Sequence, residues 1–95
     1  MAFQAQRDST PQTVAGRLLS TLEAFGPDSR ALTLSEISRS TGLPLTTTFR
    51  IVAELAEWGA LERRPDRRYT IGYRLARLAS LIPNRNDLPL VGRTS

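Results

Sequence analysis

Thr46, Thr47 and Arg50 stand just behind Pro44 in a stretch of helical periodicity, and Arg64, Arg67 and Arg68 crowd the stretch that follows it. Hydroxyls and guanidinium groups in these places make recognition chemistry, not bond-breaking chemistry. An arginine fork pairs with phosphate, or with guanine O6 and N7, through two hydrogen bonds at once, and a threonine hydroxyl can donate or accept at a base edge. The pattern implies a ligand that is both anionic and rich in hydrogen-bonding edges. Duplex DNA is such a ligand.

What the chain lacks narrows the field in the same direction. With no cysteine and no histidine among 95 residues, it cannot build a disulfide, a thiolate metal site, a zinc finger or an imidazole triad. No paired acids at catalytic spacing, phosphate-binding glycine loop or metal set is visible, so we expect no enzyme, no cofactor and no metal. The N-terminus lacks the apolar core of a secretory signal, and no stretch approaches the roughly 20 apolar residues that span a bilayer. A cytoplasmic protein without a membrane partner is the expectation.

All 13 basic residues are arginine, set against 9 acids for a net charge of +4. Arginine-only usage by itself reads as coding bias; placement matters more. Arg63, Arg64, Arg67, Arg68, Arg74 and Arg77 fall between positions 63 and 77, where Asp66 is the only acid, so the charge reads as a patch.

The elements that must position these groups follow from periodicity and punctuation. Ser9-Thr10-Pro11 offers a cap and a first-turn proline, and a helix is predicted from there through Val14, Leu18, Leu22 and Phe25, with Leu19 widening its stripe, to the stop at Gly26-Pro27. Its outer edge, Leu19 included, is a candidate for a partner subunit. Ala31-Leu32 reads as a short strand. Thr33 then caps a second helix with Glu36 at capping-box spacing, Leu34 and Ile37 face the core, and Thr41-Gly42-Leu43 breaks it near Ser40. Pro44 starts a third helix after a turn of about three residues, the length a helix-turn-helix requires.

On a helical plot the third helix, about 45–58, divides into Leu45, Thr48, Ile51, Val52 and Leu55 on one side and Thr46, Thr47, Arg50, Glu54 and Glu57 on the other. Base contact belongs to the first two turns, because the glutamates of the later ones repel phosphate. Phe49 lies on the border, where it either packs beside Ala53 and Ala56 or reaches a thymine methyl; packing is the expectation. After Trp58-Gly59, residues 60–64 and 68–71 flank Pro65-Asp66-Arg67 as a hairpin, or wing. Leu61, Tyr69 and Ile71 should cover the helices, leaving Arg64 and Arg68 on the opposite face and Arg67 at the tip. Alone, such a hairpin could equally be a charged edge that resists aggregation. Gly72 opens a last helix with Leu75, Leu78, Leu81 and Ile82 on one face, closed by Pro83-Asn84, to pack internally or on a neighbour.

This order of motifs resembles the N-terminal domain of the isocitrate lyase regulator (IclR) family of bacterial transcription factors over about residues 14–82. The resemblance is carried by Leu34-Ser35-Glu36-Ile37, Thr41-Gly42-Leu43-Pro44, Thr46-Thr47-Thr48-Phe49-Arg50-Ile51-Val52, Trp58-Gly59 and Arg68-Tyr69-Thr70-Ile71-Gly72. It implies a mainly α fold with a small β-hairpin wing, the winged helix-turn-helix. It further implies a homodimer on a palindrome-like operator of double-stranded DNA, and a following domain that senses a small-molecule effector. By position, Thr46, Thr47 and Arg50 look like the groove-reading residues and Arg67 and Arg68 the wing contacts. With Ser35, Leu45, Phe49 and Arg64 they make the expected DNA-binding set. Leu45 departs from the family, which often has a basic residue after the proline.

The expected organisation is a disordered arm at 1–11, the DNA-binding domain at 12–82, and a linker or the start of an effector domain at 83–95, where Asp87-Leu88-Pro89-Leu90-Val91 resembles the entry into such a domain. On that reading the 95 residues are a fragment of a longer regulator. The rival reading is a winged helix used only for dimerisation, as in the N-terminal domains of some O-methyltransferases. Fold alone does not separate the two.

Overall fold

A computed structural model describes residues 13–83. The elements run α1 (Val14–Glu23), α2 (Leu34–Thr41), α3 (Leu45–Trp58), β1 (Leu61–Arg63), β2 (Tyr69–Ile71) and α4 (Tyr73–Ala79). Three helices and an antiparallel hairpin thus appear in the anticipated order, with a short fourth helix behind. The proposed terminal arm and most of the linker lie outside the described residues.

Thr13, not the Ser9-Thr10-Pro11 segment, caps α1: its Oγ1 accepts the Gly16 N–H at 2.9 Å, so the helix starts at Val14. It also ends earlier than the apolar stripe suggested. The N–H groups of Ala24 and Phe25 turn back to the carbonyls of Thr21 and Leu22, both at 3.2 Å, a tightened last turn that precedes Gly26. Phe25 still reaches the core, but from a turn. Val14, expected to lead the stripe, is exposed, and the fully buried residue of α1 is Thr21, whose hydroxyl donates to the Arg17 carbonyl at 2.8 Å.

Ile37, Val52, Leu61 and Tyr69 form the core, with Leu22, Phe25, Leu32, Leu34 and Leu55 packed against them. Every element from α1 to β2 therefore contributes. Complete burial of an aliphatic side chain such as Ile37 or Val52 stabilises the fold by about 1.5–3 kcal/mol.

The two strands pair Leu61 with Ile71, Glu62 with Thr70 and Arg63 with Tyr69. Leu61 and Tyr69 cover the helices as anticipated, whereas Ile71, at 40% exposure, does not. It lines an open groove with Leu22, Phe25, Pro27 and Arg30, beyond the reach of α2 and α3. The short strand expected at Ala31-Leu32 is a single bridge: Leu32 and Tyr69 exchange N–H···O bonds of 3.0 and 2.7 Å.

Gly59 ends α3 in the left-handed region at φ 103°, and the chain crosses itself closely there. The Gly72 N–H donates to the Ala60 carbonyl at 2.7 Å, and a side chain at Gly72 would run into the Gly59 carbonyl. α4 leaves from this crossing, is shorter than its apolar pattern implied, and buries none of its residues. Leu81 and Ile82 lie past its end. Of its apolar face, Leu75 is half-buried and Leu78 is exposed.

Candidate nucleic-acid interface

Thr33 builds the first half of the site. Its Oγ1 accepts the Glu36 N–H at 3.2 Å while Glu36 Oε1 accepts the Thr33 N–H at 2.8 Å, the reciprocal capping box read in the sequence. Gly42, at φ 79°, then terminates α2. Ser38 Oγ donates to the Leu43 carbonyl at 2.6 Å, and Thr48 Oγ1 donates to the Pro44 carbonyl at 3.0 Å. The turn 42–44 is thus braced by a hydroxyl from each flanking helix, which fixes the direction in which α3 sets out. No side chain caps α3. Its first N–H groups, at the positive end of the helix dipole, remain open to an anion.

The exposed side of α3 differs from the expected partition. Thr48 and Val52 are buried, as anticipated, but Leu45 is 53% exposed and Phe49 58% exposed, so neither packs inward. The buried arc is narrower than a sequence plot assumed, because the core is small and only Thr48, Val52 and their flanks touch it. Thr46 and Arg50 are exposed, while Thr47 is half-buried at the margin. Two parallel rows at four-residue spacing result: Leu45, Phe49 and Ala53 make an apolar row, and Thr46, Arg50 and Glu54 a polar one. Glu54 and Glu57, both exposed, put negative charge on the later turns.

In the wing, Arg64 and Arg67 are exposed, Arg64 lying 4.0 Å from Asp66. Arg67 holds φ 71°, the one non-glycine left-handed residue among those described. Its N–H donates to the Arg64 carbonyl at 3.0 Å, and Asp66 Oδ1 accepts the Arg68 N–H at 3.1 Å. Arg68 does not lie on the outer face as its alternation suggested. Its Nη1 donates to Glu36 Oε1 at 3.2 Å and to the Ala31 carbonyl at 3.4 Å, so the guanidinium fastens the wing to the start of α2. Glu36 holds its charge firmly: the Thr33 backbone N–H, and then Arg68 and Arg39, keep its carboxyl below the ordinary glutamate range against partial desolvation.

The arginine run is also less of a single patch than its spacing implied. Arg74 lies over the Trp58 ring, 4.2 Å from its centroid, and donates to the Trp58 carbonyl at 3.2 Å. Strand and helix geometry separate it from the wing tip. Ser35 is exposed on the first turn of α2, and one turn later on the same side stands Arg39, also exposed, which sequence reading passed over. The four-residue spacing from Ser35 was the available signal.

Comparison with known proteins agrees with this geometry. The IclR helix-turn-helix domain matches residues 11–65, more than half of the chain. The HTH-type transcriptional regulator KipR of Bacillus subtilis is 33% identical over 63 residues, 66% of this chain and 25% of that protein. Among solved structures, an IclR homolog of Microbacterium hydrocarbonoxydans, crystallised with 4-hydroxybenzoate, is 38% identical with a TM-score of 0.68, over 70% of this chain and 28% of that one. An IclR family transcriptional regulator of Brucella abortus is 30% identical with the same TM-score, 0.68, over 74% of this chain and 27% of that one. The chain thus spans about a quarter of the length of the KipR relative. It belongs to the IclR helix-turn-helix family and forms the DNA-binding domain found in transcriptional regulators of that type.

Proposed function

We propose that this domain binds duplex DNA sequence-specifically by inserting the first two turns of α3 into the major groove, with the wing on the flanking backbone. The observation that carries the reading is the exposed Thr46 and Arg50 row at the uncapped start of α3, ahead of Glu54 and Glu57. Thr47 contributes from the margin of that surface, Ser35 and Arg39 from α2, and Arg64 and Arg67 from the wing. Phosphate contacts set the register, and the α3 side chains select the sequence. Arg68 ties the wing to α2 through Glu36. The domain acts by binding, with no chemistry of its own, in the cytoplasm.

The unit that binds is a homodimer on a palindrome-like operator. Val14 and Leu19 on α1, with Tyr73 and Leu78 on α4, are exposed apolar side chains that a second copy would cover. A small-molecule effector acts through a domain outside these 95 residues, a reading supported by the length of the relatives.

Selection from a random DNA pool, followed by titration at two salt concentrations, tests the whole reading. Sites with two related half-sites one helical turn or a multiple apart, and affinity that falls steeply with salt, are expected. Binding that ignores both sequence and salt would return the fold to the dimerisation-only role.

A further inference from the structure

The aromatic ring of Phe49 has no structural task that its position explains. It is 58% exposed, on the same two turns as Thr46 and Arg50, with Leu45, 53% exposed, one turn before it and the small Ala53 one turn after. A large aromatic left in water beside a guanidinium costs solvation free energy unless a ligand covers it. The surface is also too small for a protein partner: a stable interface buries about 800 Å² on each side, and the row ends at Ala53, next to Glu54 and Glu57. In the major groove, the apolar group that projects among base edges is the thymine 5-methyl, and phenylalanine is a side chain that contacts it.

We propose that Phe49 is a specificity-determining residue that reads a thymine 5-methyl group in the base pair adjacent to a guanine bound by Arg50. The two residues are consecutive, so their side chains leave the helix about 100° apart and meet neighbouring base steps while the helix lies in one groove. Leu45 shields the methyl from the N-terminal side. Arg50 supplies a charge-assisted hydrogen-bond pair and Phe49 an apolar contact, two terms that respond to different changes in the DNA. This inference rests on the DNA-binding reading above and adds to it the chemistry of one base position.

The experiment uses the 95-residue chain and a half-site recovered from the random pool, in which each thymine in turn is replaced by deoxyuridine, removing only the methyl. One position, next to an essential guanine, is expected to lose about fourfold in affinity, the worth of one buried methyl group. Phe49→Ala should bind the thymine and uracil duplexes equally and Phe49→Leu should keep part of the difference, with unchanged melting curves because the side chain is exposed. If every uracil duplex binds the wild-type chain as tightly as its parent while Arg50→Ala still weakens binding, the Phe49 role is wrong and the DNA-binding reading stands. If the pool yields no enriched sequence and affinity ignores salt, both fall together. Phe49→Ala that leaves the thymine preference intact also overturns the assignment.

Discussion

Arg68 Nη1 and the backbone N–H of Thr33 converge on one oxygen of Glu36, at 3.2 and 2.8 Å, so a single carboxylate closes the cap of α2 and anchors the wing. Arg68 and Glu36 are 32 positions apart in sequence, and this bond joins the wing to α2. Because the folded-state pKa of Glu36 is depressed, the carboxylate contributes stability that is present above its unfolded-chain value and is lost as pH falls through the lower folded value. Thermal denaturation across the acid range should show Glu36→Gln with a shallower decline than the wild type between those two values, and Arg68→Ala partway between. Parallel acid limbs for all three proteins would show that the bond has no energetic role.

Arginines near one another in sequence should behave differently in binding. Arg50→Ala is expected to cost about 1–3 kcal/mol on the selected site and to relax one base preference, whereas Arg67→Ala should weaken all sequences alike and reduce the salt slope by about 1. Arg74→Ala, which loses the stack on Trp58, should lower the melting temperature and leave the salt slope unchanged. Equal salt slopes for the Arg67 and Arg74 variants would argue against the wing as a phosphate contact.

A side chain added at Gly72 meets the Gly59 backbone, which has no room to yield, so Gly72→Ala should destabilise the fold by about 1–3 kcal/mol. Gly26→Ala provides the contrast. Nothing lies within 4 Å of the added carbon there, and its effect should stay within about 0.5 kcal/mol. Urea denaturation of the two variants checks the pair, and comparable losses would rule out the close crossing as the cause.

The left-handed backbone of Arg67, at φ 71°, is unfavourable for any residue with a β-carbon. Arg67→Gly should therefore raise stability by about 1 kcal/mol while lowering DNA affinity, two effects of opposite sign from one substitution. A variant that is both less stable and weaker in binding would mean that the arginine side chain props the turn in the free protein.

Local punctuation was the most legible part of the sequence. The Thr33 and Glu36 capping box, the Gly42 stop, the start of α3 after Pro44 and the Gly59 stop are decided by residues within a few positions of one another, and all appear where they were read. What depended on distant neighbours was harder to see. Phe49 and Leu45 carry apolar side chains that periodicity assigns to a border or a core, yet no element lies opposite them to bury them. Arg68 alternates outward with Arg64 on paper, but it precedes the first residue of β2 and its guanidinium reaches Glu36 on another helix. The end of α1 is overrun because Phe25 keeps the helical phase while packing from a turn, and that of α4 because Leu81 and Ile82 keep the apolar pattern beyond the last helical residue. Exposure at Thr46 and Arg50 follows the sequence, because both lie opposite the apolar arc of α3.

The bridge between Leu32 and Tyr69 has a mechanical consequence. Strands of three residues make a weak hairpin, but this one is tied to the segment that leads into α2, so the wing and the helix-turn-helix share one frame. A caliper with fixed jaws cannot adjust to the object it measures. Duplexes that match at every touched base but differ in groove width between the touched positions should then bind with different affinities, because the DNA must supply the bending that the protein does not.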